Sequence, residues 1–568
     1  MIPGLPGQKI GQMNNSAPLP SRPHRQGRAL PRGRQASVAD HATLRGLLPD
    51  GDLRRDLLVE YLHRIQDAQG HLPTNLLAAL AEMMRLPLAE VYETATFYAH
   101  FDVVDAGEAP PPAITIRVCD SLSCVMAGAD ELAAQAERLG DDVRVLRAPC
   151  MGQCDRAPCA TYGKNVFAPA SLDELSAAHE RRAVHPLLPR YKTLAAYRAE
   201  GGYGVLAQCR RGALTRAALL AELEKAGLRG MGGAGFPTAR KWQAMLQQPK
   251  PRILAVNGDE GEPGTLKDRF FLETEPHGFL EGMLVAAWAI EAEAAYIYLR
   301  DEYPALHHVI RAELQALEQA GLLQGLHVEL RRGAGAYICG EESAMLESIE
   351  GKRGLPRQKP PYPVQAGLFG RPTLINNVET LYWVAAIADK GADWWLSHGR
   401  NGSKGLRSYS VSGRVRQPGV KLAPAGLTAN ELIEEYCGGM APGHSFAAYL
   451  PGGASGGILP AAMADVPLDF GTLEKYGCFI GSAAVIVLSD QDDVKAAALN
   501  LMRFFRHESC GQCTPCRIGT EKAAAMMAQP VWDEPLLRDL AQVMRDASIC
   551  GLGQAAPNPL LSVLERFK

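Results

Sequence analysis

The sequence has no apolar run long enough to cross a bilayer. Its longest, Gly282 to Ile290, falls far short of the ~20 residues that a spanning helix needs. It also lacks an excess of charge: the net value is −3, which gives no general pull toward nucleic acid or an anionic membrane. There is no solenoid repeat, no low-complexity tract and no apolar core of a secretory signal. Acidic residues are missing from the first 39 positions, which carry Lys9 and five arginines among prolines and glycines. An Arg-rich, acid-poor leader has the composition of a transit peptide. Without amphipathic helical spacing, residues 1–49 read instead as a disordered basic arm suited to docking on a partner. These absences speak against a membrane span, a nucleic-acid partner and export, and the expectation is a cytoplasmic globular protein. At 568 residues with 47% hydrophobic and 21% charged side chains, the chain is expected to form about three to five domains.

Cysteine is present and clustered. Of thirteen cysteines, most fall in two groups, the pattern of metal or cluster ligation in a reducing compartment rather than of a disulfide scaffold. In "SCGQCTPCRIG" the thiols of Cys510, Cys513 and Cys516 follow one another at C-x-x-C-x-x-C spacing, with Cys550 in "SICGLG" as a remote fourth. Three thiols on one turn of backbone suit three corners of a [4Fe–4S] cube, closed by the fourth. Four-cysteine zinc is the competing reading, though zinc favours paired CxxC knuckles. Upstream, one strand-like run, "ITIRVC", ends on Cys119, with Cys124 at C-x4-C spacing, and another, "DVRVLRAPC", ends on Cys150, with Cys154 at C-x3-C spacing. Two thiols from each of two neighbouring loops match the two irons of a [2Fe–2S] cluster, with zinc again the alternative. Cys159 fits neither pair. Cys209, Cys339, Cys437 and Cys478 stand alone and read as small buried hydrophobes.

Helical spacing from Leu53 to Phe101 predicts a small bundle, and a small α/β domain follows, so that residues 50–184 form one N-terminal unit. The polar, basic stretch 185–212 reads as a linker. Residues 213–404 carry a larger α/β pattern with Gly-rich loops; 405–488 read as a strand pair followed by a helix, a small β-grasp-like module; and 489–568 read as helices around the last four cysteines. "GMGGAG", Gly230 to Gly235, matches G-x-G-x-x-G but follows a helix, so the match alone is weak. "AVNGDEGEPGTLKDR" places Asn257, Asp259, Glu260 and Glu262 in a turn at the carboxyl end of a strand, where ligands usually meet an α/β sheet. "GAGAYICGEES" offers Tyr337, Gly340, Glu341 and Glu342, and "EGKRGLPRQKPPYP" brings basic residues among Gly and Pro, suited to phosphate or simply solvated.

Taken with "PTLINNVETL", these six motifs resemble, in order, the flavin- and NADH-binding subunit shared by respiratory complex I and the NAD-linked diaphorases, and "VCDSLSC" and "APCMGQC" resemble its small thioredoxin-like [2Fe–2S] companion, here fused. Among fused forms, "GDEGEPG" and "LPGGASGGILPA" are most similar to the β subunits of NAD-dependent formate dehydrogenases. The resemblance implies an α/β multidomain fold: a helical bundle with a thioredoxin-like domain, a Rossmann-like FMN/NADH domain, a β-grasp module and a helical iron–sulfur bundle. It implies FMN, NAD(H), one [4Fe–4S] and one [2Fe–2S] cluster, and a large molybdenum- or tungsten-pterin α subunit as partner in a heterodimer or higher hetero-oligomer.

By the same resemblance, Gly230, Gly232, Gly233 and Gly235 with Lys241 hold the FMN phosphate. Asn257, Asp259, Glu260, Asn376, Asn377 and Thr380 bond the ribityl chain and ring, with Tyr337, Gly340 and Glu341 beside them. Phe236, Glu262, Glu342, Lys359 and Tyr362 line the dinucleotide site. No side chain is expected as an acid or base, because the flavin carries the chemistry. Met231 and Ala244 depart from the family's usual Arg and Phe, while Tyr362 keeps a stacking face. The alternatives are the diaphorase of a bidirectional [NiFe] hydrogenase, a fused complex I subunit, or a non-catalytic zinc-binding assembly module.

Overall fold

The computed structural model describes residues 34–567. The expected disordered arm therefore lies mainly outside the described residues, and its last part is corrected. Val38–Leu47 is a helix, opened by a capping box in which Ser37 and Asp40 satisfy each other's backbone N–H groups. Its fully buried Leu44 packs into the bundle. Three further helices, Leu58–Gln69, Thr74–Met84 and Leu88–Phe97, complete that bundle. The first turns its buried face through Leu58, Leu62 and Ile65 and stops at Gly70, which adopts φ 77°.

The thioredoxin-like region holds strands β1 (Ile114–Cys119), β2 (Val143–Ala148), β3 (Ala160–Tyr162) and β4 (Asn165–Phe167). They form one sheet in the order β2-β1-β3-β4, with β1 and β2 parallel. Parallel pairing brings the carboxyl ends of β1 and β2, and hence the two thiol pairs, to one edge.

The expected linker 185–212 is also corrected. Leu194–Ala199 and Gly204–Arg210 are helices, and the second is docked by Glu281, whose carboxylate accepts the N–H groups of Tyr203 at 2.8 Å and Leu206 at 3.2 Å. A polar composition hid this, because the docking energy comes from one buried acid distant in sequence.

The central sheet comprises β5 (Arg252–Gly258), β6 (Ala292–Leu299), β7 (His327–Arg332) and β8 (Thr373–Asn377), all parallel in the order β8-β5-β6-β7. β5 is buried along nearly its whole length, as a parallel strand covered on both faces must be. Helix Pro276–Ile290 crosses Val378–Lys390 closely. A Cβ at Gly282 would lie 1.8 Å from the Leu381 carbonyl oxygen, so only glycine permits this approach. A five-stranded mixed sheet follows, β9 (Leu406–Gly413), β10 (Gly419–Pro424), β11 (Phe446–Leu450), β12 (Leu459–Pro460) and β13 (Ala484–Ser489), ordered β10-β9-β13-β11-β12. The C-terminal region is helical: Val494–Glu508, Thr514–Met527, Glu534–Ala547, Gly551–Ala555 and Asn558–Arg566. Among the described residues no helix is long and apolar enough to cross a membrane.

Candidate functional site

A cavity of about 680 Å³ opens at the carboxyl end of β5, between the central sheet, the five-stranded sheet and the C-terminal helices. Ligand pockets for molecules of cofactor size run from about 300 to 1,000 Å³. Gly232, Gly233, Asn257, Asp259, Glu260, Glu262, Tyr337, Gly340, Glu341 and Asn377 line it. Residues expected from four separate stretches are thus brought to one place. Their arrangement is enforced locally. Asn257 Nδ2 donates to the Gly340 carbonyl at 2.8 Å, and Glu341 caps helix Glu342–Ile349 through the N–H groups of Ser343 and Ala344, each at 2.9 Å.

Gly230, Gly235, Phe236, Lys241, Glu342, Lys359, Tyr362, Asn376 and Thr380 are not part of that lining. Lys241 Nζ lies 3.4 Å from Glu342, and Lys359 Nζ lies 2.8 Å from Glu341 and 3.0 Å from Glu342. These four charges form one network beside the cavity. Phe236 and Tyr362 are aromatic rings left more than half exposed, available for stacking. Asn376 and Thr380 are buried and already engaged: Asn376 Oδ1 accepts Trp242 Nε1–H at 2.9 Å, and Thr380 Oγ1 accepts the Met231 N–H at 2.8 Å. Both hold the glycine loop and the helix behind it.

Sequence reasoning missed several lining groups. Lys267 is almost fully buried, paired with Asp268 at 2.8 Å and Glu379 at 3.3 Å and donating to Asn377 at 3.1 Å. Gly452, Ser455, Phe479, Gly481, Arg545, Gln554 and Asn558 come from the last two regions of the chain. The available signal was the glycine-dense "LPGGASGG", where Gly453 and Gly457 adopt φ 75° and 78°.

Burial pushes the Asp259 carboxyl well above the usual range, against the opposing charge of Arg300. Burial and the neighbouring Asp268 raise Glu260 to about 7, and burial also raises Glu262 although Tyr337 donates to it. Asp259 Oδ2 is buried without a partner, an orphan oxygen that a bound cofactor would satisfy. Bare Gly232 and Gly233 backbone, a buried cation and this oxygen together fit a flavin mononucleotide.

None of the thirteen cysteines is in a disulfide. Cys510, Cys513, Cys516 and Cys550 surround one small cavity walled by Ile338, Pro356, Ile549 and Leu552. Cys513 precedes helix Thr514–Met527 and Cys550 precedes Gly551–Ala555, which aims two helix N-termini at the sulfurs. Burial raises Cys516 to about 12 and Cys550 to about 11. Among the described residues no three His, Cys, Asp or Glu groups converge tightly enough for a single metal ion. A set of sulfurs around a cavity fits a cluster. At the strand edge, Cys119, Cys124, Cys150 and Cys154 are all buried, and Cys150 Sγ lies 3.3 Å from Cys154 Sγ. Contacts with Cys119 and Cys154 draw the Cys150 thiol toward thiolate, with Arg300 adding to the effect. Two buried thiol pairs on neighbouring loops fit a [2Fe–2S] cluster.

Three families match successive parts of the chain: a thioredoxin-like [2Fe–2S] ferredoxin over 49–180, the Nuo51 FMN-binding domain over 223–386, and the NADH-ubiquinone oxidoreductase-F iron–sulfur binding region over 496–568. The F 2 subunit of the NADH-quinone oxidoreductase of Rhizobium meliloti (strain 1021) is 41% identical over 396 residues, 67% of this chain and 94% of the relative. The F subunit of the NADH-quinone oxidoreductase of Aquifex aeolicus (strain VF5) is 39% identical over 393 residues, 67% and 90% respectively. A crystal structure of an NAD+-reducing [NiFe]-hydrogenase in the H2-reduced state contains a chain that superposes with a TM-score of 0.79 at 34% identity, covering 90% of this chain and 91% of that one. A flavin-sized cavity walled partly by a cluster-binding helical region agrees with the order of these matches, and the chain accordingly belongs to the family of the NADH-quinone oxidoreductase F subunits, as an NADH-dehydrogenase-type flavoprotein with FMN, a [4Fe–4S] cluster and a fused thioredoxin-like [2Fe–2S] domain.

Proposed function

We propose that this chain is the NAD(H)-facing subunit of an NAD-dependent formate dehydrogenase. A molybdenum- or tungsten-pterin α subunit oxidises formate, electrons reach this chain through iron–sulfur clusters, and NAD+ is reduced, reversibly. FMN, when bound, supplies the exchange between a two-electron hydride and single electrons. The protein's part is positioning. Asp259 and Asn257 orient the ring and ribityl chain, Gly232 and Gly233 with Lys241 receive the phosphate, and Glu342 and Lys359 form a charged rim for the dinucleotide. Phe236 and Tyr362 offer it their faces.

The observation that carries the reading is that Ile338 and Leu552 line both the large cavity and the cavity among Cys510, Cys513, Cys516 and Cys550. One layer of side chains divides the flavin position from the sulfurs, so charge has a short path between them. Formate rests on the wording of "GDEGEPG" and "LPGGASGGILPA". The likeness to the NAD+-reducing [NiFe]-hydrogenase chain along nine-tenths of this one favours a second reading, the diaphorase of a hydrogenase, against which the complete quartet Cys119, Cys124, Cys150 and Cys154 counts.

Anaerobic co-purification of the chain with its partner, followed by NAD+ reduction assays with formate and with hydrogen, separates the two. Formate-dependent turnover is expected. Hydrogen-dependent turnover without formate activity overturns the formate reading, and the isolated chain should reduce dyes with NADH while leaving formate untouched.

A further inference from the structure

Arg300 follows the last residue of β6 and is 3% exposed. Its guanidinium donates through Nη1 to the carbonyl of Glu260, in the flavin loop, and through Nη2 to the carbonyl of Cys150, in the strand-edge thiol loop, at 2.6 Å. One buried cation therefore joins the two cofactor loops. Glu302 pairs with it by two contacts, at 2.8 and 3.2 Å, and the ring of Tyr303 lies 5.2 Å from it while the Tyr303 hydroxyl donates to Glu260 at 2.9 Å.

The thiol loop is also pressed onto Tyr303, beside this cation. Gly152 adopts φ 67°, and a Cβ there would sit 2.1 Å from the Tyr303 hydroxyl oxygen. Through the Tyr303–Glu260 bond this contact is a second tie between the two loops.

We propose that Arg300 is a positioning residue that couples the flavin site to the [2Fe–2S] site, holding up the reduction potential of both, with Glu302 setting how much of its charge each site feels. The reasoning is electrostatic. Each site gains negative charge on reduction, a buried cation bonded to a carbonyl of each loop stabilises that charge, and low dielectric makes the effect large. Because both sites share one cation, reduction of either weakens its hold on the other, and the coupling is reciprocal. The proposal rests on the functional reading above, in placing FMN in the cavity and the cluster on Cys119, Cys124, Cys150 and Cys154.

The test is a redox titration of the full cofactor-loaded chain, with the flavin followed optically and the clusters by electron paramagnetic resonance. Arg300→Gln should lower the midpoints of FMN and of the [2Fe–2S] cluster, each by the order of a tenfold change in the one-electron equilibrium, about 59 mV. Glu302→Gln should raise both. The [4Fe–4S] midpoint should hold in each. Arg300→Lys keeps the charge and reaches one carbonyl only, so its shifts should be smaller than those of Arg300→Gln; it is also the variant that carries the test if the neutral one fails to load. Variants that move all three centres together, that move FMN and [2Fe–2S] in the same direction for Arg300→Gln and Glu302→Gln, or that leave both unmoved overturn the proposal. A wild-type chain that loads its cofactors keeps the functional reading intact in that event, whereas a wild-type chain without FMN or the [2Fe–2S] cluster overturns both.

Discussion

Thr380 Oγ1 accepts the backbone N–H of Met231 at 2.8 Å across 149 residues of sequence. The bond fixes the glycine loop to the start of helix Val378–Lys390, where Asn377 caps the helix through the Glu379 N–H. Removing it leaves a buried donor unpaired, at a cost of about 1–3 kcal/mol. Thr380→Val should therefore lower FMN retention several-fold while leaving the iron content unchanged. Flavin released on gel filtration, set against total iron, measures this.

His63 joins the helical bundle to the central region: its Nε2 lies 2.8 Å from the Gly333 carbonyl oxygen, and burial pushes the ring down to about 3. A depressed histidine stabilises the fold fully above its unfolded value of about 6.5, and that contribution falls as pH drops toward about 3. By pH 5 the loss is about 2 kcal/mol. Urea melts at pH 7.5 and pH 5 should show wild type losing more stability on acidification than His63→Gln, by about that amount. Equal losses would contradict the assignment.

What was legible in the sequence was local. Cys510, Cys513 and Cys516 announce themselves because one turn of chain carries three ligands, and Asn257 to Glu262 because a strand ends there. The rest of the cavity was not legible for a physical reason: Phe479, Arg545 and Asn558 reach it only after two further regions fold against the central sheet. The helices Leu194–Ala199 and Gly204–Arg210 were hidden likewise, since Glu281, more than 70 residues downstream, supplies the bonds that dock them, to the Tyr197 hydroxyl of the first and to the Tyr203 and Leu206 N–H groups of the second. Arg300 gave no signal at all. A single arginine at a strand end reads as surface until two distant carbonyls are found on it.

Gly235 adopts φ 64°, and a Cβ there would lie 2.5 Å from the ring of Phe470. Gly235→Ala meets both left-handed strain and a clash, costing more than about 1 kcal/mol. The displaced loop should hold FMN poorly. Gly201→Ala is the control, since its φ of 94° is just as left-handed but nothing lies within 4 Å of the added carbon. Both should lower the thermal midpoint, and only Gly235→Ala should reduce the flavin content per chain.

Cys513 stands at the N-terminus of helix Thr514–Met527, partly exposed, with Cys510, Cys516 and Cys550 around the same small cavity. The flavin cavity meets these sulfurs through Ile338 and Leu552 and does not include Cys513 in its own wall. Cys513→Ala should therefore remove one corner of the cluster without touching the flavin contacts. The purified wild-type chain should contain about six irons, four in one cluster and two in the other. The variant should fall toward two, lose the [4Fe–4S] electron paramagnetic resonance signal, keep one FMN per chain and still bleach with NADH. Transfer to the partner should stop. A variant that retains formate- or hydrogen-driven NAD+ reduction with its partner would show that electrons travel by a route that bypasses the C-terminal sulfurs, and the one-layer wall between the two cavities would then have no part in the reaction.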